Sequence, residues 1–436
     1  MIRVLCLVAV LVLATAAPAA AHNVMAGADL RIAQTIAGTE LTVVIKGTSR
    51  VPGPLRIGVI AYEPVAAPRI GVEVRSVEDG RTVKGVATAA ARDPRYTELK
   101  VGRTGPHELT LRAGNEVAVV PFRVLVERGS AGDFLIYGGF FVAGMLLVGG
   151  LLTGALTRRG PGLLLAGGAA AGLTVAVMVI VFEPRLPPAP ADGAAPTVET
   201  AQAGGRPFVQ GKVAALPARP EAGEEFTLRF DLVDGSTGRP VDDLTLHHEA
   251  LVHMVVTSED GKYFRHVHPL RTAPGRLEVR LRADRPGRYL AHAELEREDS
   301  GGQLLSGDFT IGGKATPQAK ADQPATADPS ASAGRPVVSP RLRPAVPVAG
   351  RPATIELDAP AGVRPWLGMA GHLLVRSQDG SFLGHVHEMG TTAGRLRFTF
   401  SFPEPGRYLA WAQYATGDRI VTAPFTVDVT ASETLR

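Results

Sequence analysis

The sequence predicts all-β extracytoplasmic domains, Ig-like or cupredoxin-like sandwiches, joined to a two-helix transmembrane hairpin. Three observations predict it. Short segments of alternating apolar and polar residues are separated by Gly, Pro and Asp-Gly turns, the period-2 signature of half-buried strands. Two apolar stretches, 134–156 and 163–182, are long enough to cross a bilayer. A segment at 253–268, HMVVTSEDGKYFRHVH, returns at 372–387 as HLLVRSQDGSFLGHVH, at a constant offset of 119.

Residues 1–21 read as a signal peptide: Arg3, an apolar run, then APAAA with small residues at the cleavage positions. Cleavage after Ala21 leaves His22 as the new N-terminus. The single cysteine, Cys6, lies inside this segment, so the mature chain is expected to have no thiol for a disulfide, a lipid or a metal. Residues 22–128 read as an N-terminal β-sandwich, with strands expected at 40–46, 56–62, 71–75, 107–112 and 116–125. An N-terminal histidine offers its α-amine and its imidazole to copper, as in a histidine brace, and His107 is the other histidine of this domain. The plainer reading, that the cleavage site merely precedes a histidine, is the one the sequence favours for His22.

The spans at 134–156 and 163–182 enclose a loop containing Arg158 and Arg159. Two cations in so short a loop place it in the cytoplasm, which puts the N-terminal and C-terminal domains on the periplasmic or extracellular side of the cell membrane. Gly150-xxx-Gly154 and Gly168-xxx-Gly172 allow close helix contact. Neither span carries an ionisable residue, so the hairpin reads as an anchor rather than a conduit. Residues 183–206 and 313–336 are Pro/Ala-rich linkers, which bracket two β-sandwich repeats at 207–312 and 337–430.

In each repeat the Asp-Gly dipeptide predicts a two-residue type I′ hairpin turn. Counting outward from Asp260-Gly261 opposes His253 to His268 and sets His266 on the same face; around Asp379-Gly380, His372 opposes His387 with His385 beside them. Nine of the eleven histidines lie in these repeats, so three imidazoles fall in register twice. Such a triad suits copper, or zinc. Met369, three residues before His372, and Met389 add thioether donors to the second repeat and shift its preference toward copper, while His247, His248 and Glu249 are harder donors beside the first. His292, on the repeated PGRYLA strand where Trp411 stands in the second repeat, is a candidate fourth ligand. Tyr289 and Tyr408 read as packing residues with a corner hydrogen bond. The competing reading of both triads is a hydrogen-bonded cross-strand cluster that finishes a sheet.

HMVVTSEDGKYFRHVHP with PGRYLAHAEL, and GHLLVRSQDGSFLGHVHE with PGRYLAWAQY, resemble a family of secreted or membrane-anchored bacterial β-sandwich proteins. These carry a His-strand-turn-HxHP hairpin and are loosely similar to FixH/YtkA-like and cupredoxin-like modules. The likeness covers about 210 residues, and Glu388 stands where its pattern has proline. The N-terminal domain with a membrane hairpin behind it is similar in architecture to copper-resistance proteins of the CopC type. The resemblance implies extracytoplasmic metal handling: buffering, delivery or resistance, with a metal-transfer protein as partner. The alternative is a structural or sensory adaptor whose tandem Ig-like domains bind a protein or glycan. No thiol, GxSxG, HExxH or carboxylate pair supports an enzyme. The net charge of +4 comes without Lys/Arg runs, so no nucleic-acid partner is expected.

Overall fold

The computed structural model describes residues 22–24, 26–62, 69–127, 131–182, 185, 190–195, 206–298, 300–314, 340–359, 361–388, 394–417 and 419–432. The signal peptide, most of both linkers and Met389 lie outside the described residues. The chain divides into two compact units, residues 1–124 with 196–436, and residues 125–195.

The smaller unit is a pair of apolar helices, Ala131–Leu152 and Arg159–Phe182, each long and apolar enough to cross a membrane. The first ends four residues before the expected boundary. Thr153 turns its hydroxyl back onto the Gly149 carbonyl at 2.8 Å, and Gly154 adopts a left-handed φ of 67°, which stops the helix. The second begins at Arg159 rather than 163, because Pro161 sits in a first turn that needs no amide donor there. The backbones approach most closely at Gly139 and Gly172, where an added Cβ would stand 2.5 or 2.8 Å from the opposing carbonyl oxygen. Gly154, expected to help in this contact, belongs to the turn.

In the larger unit, the N-terminal domain has nine strands: β1 (His22–Val24), β2 (Asp29–Ile36), β3 (Thr39–Lys46), β4 (Gly53–Tyr62), β5 (Arg69–Ser76), β6 (Thr82–Thr88), β7 (Thr97–Val101), β8 (Gly105–Ala113) and β9 (Glu116–Val124). They form sheets ordered β1-β9-β8-β5-β6 and β2-β3-β4-β7, whose inner faces bury Val43, Ile45, Ile57, Leu109 and Phe122. Alternation along β8 is strict because one face meets the core and the other does not.

The first repeat comprises β10 (Val209–Leu216), β11 (Glu225–Asp234), β12 (Val252–Ser258), β13 (Phe264–Val267), β14 (Leu270–Ala273), β15 (Arg276–Arg282), β16 (Gly287–Glu296) and β17 (Gly302–Ile311). Its sheets run β10-β11-β15-β14 and β13-β12-β16-β17. The second comprises β18 (Arg341–Arg343), β19 (Pro352–Asp358), β20 (Val363–Arg364), β21 (His372–Ser377), β22 (Leu383–His387), β23 (Arg395–Ser401), β24 (Gly406–Thr416) and β25 (Arg419–Val429). Its sheets are β18-β19-β23 and β20-β24-β21-β22, with β25 on β24. Fold class is as the sequence indicates. Both tyrosine corners form: Tyr289 Oη donates to the Arg285 carbonyl at 2.8 Å and Tyr408 Oη to that of Glu404 at 2.9 Å.

The hairpin turns differ from the expected type I′. Only Gly261 and Gly380 have positive φ, 73° and 79°, and Asp260 and Asp379 do not. Each Asp instead accepts from a serine hydroxyl two residues back, at 2.6 Å, and from the amide two residues on, at 3.1 Å, closing a wider loop. The wider loop is symmetric about the same centre, so the register is unchanged.

Candidate metal centre

Register comes first. In the first repeat Val255 pairs with His266, and in the second His372 pairs with His387 and Leu374 with His385. Side chains two apart on a strand share a face, so His253, His266 and His268 converge, as do His372, His385 and His387. His253 Nδ1 lies 3.2 Å from His266 Nε2 and 3.1 Å from His268 Nε2. His372 Nδ1 lies 3.1 Å from His385 Nε2.

The outward nitrogens determine what those contacts are. His253 Nε2 donates to the His247 carbonyl (2.9 Å), His268 Nδ1 to the Glu40 carboxylate (2.6 Å), and His266 Nδ1 to Gln413 Oε1 (2.9 Å). The Gln413 amide nitrogen is committed to Thr422 Oγ1, which fixes the amide's orientation. A neutral imidazole has one N–H, and here it points outward in all three rings. The inward nitrogens are therefore bare lone pairs, which cannot hydrogen-bond to one another. In the second repeat His372 Nε2 donates to the Trp366 carbonyl (3.0 Å) and His385 Nδ1 to Glu294 (2.8 Å), while His387 Nε2 is buried without a hydrogen-bond partner among the described residues. Two nitrogens bound at about 2.0–2.1 Å to one ion stand roughly 3.3–3.6 Å apart, close to the observed spacing, and metal-ligating histidines are held through their second nitrogen in this way.

Burial, reinforced by neighbouring imidazoles, holds His253, His266 and His372 well below the usual histidine range. Burial likewise brings His387 down to about 3 and His248 to about 4. Burial by itself would raise the Glu294 carboxyl, but the His385 hydrogen bond and nearby imidazoles hold it below the ordinary value.

The two triads are not separate. The sheets carrying them face each other, so that ligand nitrogens of His253, His266 and His385 lie within 4.8 Å of one another, as do those of His372, His385 and His387. Phe264 stacks on Trp411 at 4.6 Å between the repeats, and Arg376 crosses to the Thr257 hydroxyl and to the Ser258 and Glu259 carbonyls (2.9 and 2.8 Å). The offset of 119 relates Glu294 to Gln413 and His266 to His385. Each of these strand residues thus supports the other repeat's histidine, an exchange about an approximate twofold axis. The hairpins are not surface features, and their first histidines are buried: His253 is 2% and His372 0% exposed.

The other candidates are placed as follows. His292 is not beside the triad. The β12–β16 register sets Glu294 opposite His253 and moves His292 two residues along, where its Nε2 meets the Gly380 carbonyl at 3.1 Å across the repeat interface. Met369 closes a tight turn with its backbone paired to that of Trp366, the counterpart of the turn at His247 and Ala250. His247 lies beside the first triad as expected, its carbonyl on His253 Nε2, and its ring is 6.3 Å from those of both His253 and His387; His248 reaches the second triad, its ring 3.8 Å from that of His387, centre to centre. His22 lies on β1, paired through its backbone with Phe122 in the sheet that does not carry Glu40. His107 is buried against Phe122 and bonded to the Gly105 carbonyl. Sequence reasoning missed Glu40, Glu294 and Gln413; for the last two, their equivalence at the constant offset was the available signal.

A family model described as a domain of unknown function, DUF8832, matches residues 208–313 and 345–431. No protein of curated function matches the chain. Among solved structures, CopC from Methylosinus trichosporium OB3b is 18% identical, with 22% of this chain and 94% of that one covered and a TM-score of 0.17. Trypsin-activated alpha-2-macroglobulin from Escherichia coli is 9% identical, covering 97% and 23%, with a TM-score of 0.20. Invasin, a bacterial integrin-binding protein, is 10% identical, covering 91% and 61%, with a TM-score of 0.17. Scores at this level carry no functional weight. Both halves of the histidine centre lie in segments that match one domain model whose description names no function.

Proposed function

We propose that this chain is a membrane-anchored, extracytoplasmic metal-binding protein that holds copper between its two C-terminal repeats, for buffering, delivery or resistance. The observation that carries it is the outward direction of the N–H groups, which leaves inward lone pairs 3.1–3.2 Å apart with nothing to share but a cation. A cross-strand hydrogen-bonded cluster would need at least one N–H pointing inward.

The surroundings favour a monovalent ion. An imidazole is neutral when it ligates a metal, so the ion's charge is balanced only from outside, by one carboxylate for each triad: Glu40 behind His268 and Glu294 behind His385. Burying one net charge costs far less than burying two, and zinc prefers four ligands where three converge here. Cu(I) accepts a three-nitrogen set. Titrating the full chain in detergent with Cu(I) against a competing chelator, and in parallel with Zn(II), tests this. About two Cu(I) bound per chain, at least tenfold tighter than Zn(II), is expected. Tighter zinc binding removes the copper assignment, and no binding of either removes the function.

A further inference from the structure

The two triads are related by a constant offset, yet what covers them differs. Each repeat contributes a tight turn that holds the first histidine of its own triad and reaches across to the other's. The Trp366 ring lies 5.0 Å from that of His372 and, across the repeat interface, 5.5 Å from that of His266 and 6.2 Å from that of His268, with Leu367 beside it. Both lid residues are nearly inaccessible, at 1% and 0%, because the N-terminal domain packs Ala33, Val44, Ile60 and Tyr62 onto them. At the positions 119 earlier stand His247 and His248, over the second triad. There the cover is imidazole, half-buried, and no hydrogen bond among the described residues holds the His248 ring.

We infer that the second triad is the station through which metal enters and leaves, with His248 as its outer ligand, and that the first triad is a closed, slowly exchanging station. This rests on the reading of the triads as metal sites. His248 lies against His387, whose Nε2 is buried with no hydrogen-bond partner among the described residues, so an ion passing outward from His387 meets a second imidazole before water. The carboxylates behind the triads follow the same asymmetry: the Glu294 side chain is 29% exposed and that of Glu40 10%. The turn is built for display at some cost. His248 and Glu249 have φ of 46° and 62°, in the left-handed region that non-glycine residues rarely occupy. A single imidazole stands where the closed lid has Leu367, itself at φ 54°, so a leucine is tolerated by the same backbone.

The experiment loads the full chain in detergent with two equivalents of Cu(I), mixes it with excess bathocuproine disulfonate and follows release by absorbance. Wild type should release one ion fast and one slowly, and His387→Ala, which leaves the shared His385 in place, should lose the fast class. His248→Leu should slow the fast class about tenfold, the effect of roughly 1.4 kcal/mol on a barrier. His248→Asn, which suits left-handed backbone and lacks the ring, should do the same and serves if the leucine variant misfolds by circular dichroism. A single release rate in wild type, unchanged rates in both His248 variants, or loss of the slow class in His387→Ala would overturn the inference. A wild-type chain that takes up no copper shows no release at all and overturns the parent reading, which distinguishes the two failures.

Discussion

Replacing Glu40 with glutamine tests whether the N-terminal domain supports the metal centre. The Glu40 carboxylate accepts from His268 Nδ1 at 2.6 Å and from the Thr35 hydroxyl at 2.7 Å, and its side chain is only 10% exposed. Glutamine is nearly isosteric and can still present an oxygen to His268, so the fold and the ring orientation should survive. What it removes is the charge that strengthens the bond and balances the ion. A charge-assisted hydrogen bond is about twice as strong as a neutral one, and loss of such an outer partner typically costs 10–100-fold in metal affinity, roughly 1.4–2.7 kcal/mol. Competition titration with Cu(I) in the full chain should show one of the two bound ions weakened by that factor and the other unchanged, since Glu294 supports the second triad. Unchanged affinity for both ions, or equal weakening of both, would refute the reasoning.

Acid should destabilise the metal-free protein. Burial and neighbouring imidazoles hold His253, His266 and His372 well below the unfolded 6.5, so the unfolded chain binds protons first and stability is lost as pH falls below 6.5. Thermal melts at pH 7 and pH 5 check this, and equal melting temperatures would contradict it. Arg376→Ala should destabilise the docking of the two repeats by roughly 2–4 kcal/mol, because it strips a charged donor from a buried hydroxyl and two carbonyls. Denaturant unfolding of the full chain reads that loss, and a change under about 0.5 kcal/mol would be incompatible with it. Protease added to intact spheroplasts should remove both the N-terminal domain and the C-terminal repeats, as Arg158 and Arg159 imply for the helix turn; protection of either would reverse the topology.

The triads were legible because strand geometry needs only local information: a turn centre and a period of 2 place His253 opposite His268 whatever the rest of the fold does. The tyrosine corners and the two helices were legible for the same reason. Partners supplied by a distant segment were not. Glu40 meets His268 across 228 residues, and β2, which carries Thr35 toward the centre, has no strand signature in the sequence. Its burial runs almost continuously from Ile32 to Ile36 and includes Gln34 and Thr35, because it packs on both faces, so alternation is absent. The repeated PGRYLA strand makes His292 a candidate fourth ligand, but the register of β12 on β16, which no local pattern encodes, sets Glu294 in that place.

The most direct test of the central claim is X-ray absorption at the copper edge of the full chain loaded with two equivalents of Cu(I). The account predicts about three nitrogen scatterers per copper near 2.0 Å with the outer-shell signature of imidazole, lost in part on replacing His385 and His387. A chain that retains no copper, or a spectrum dominated by oxygen ligands and unaltered by that replacement, would contradict it.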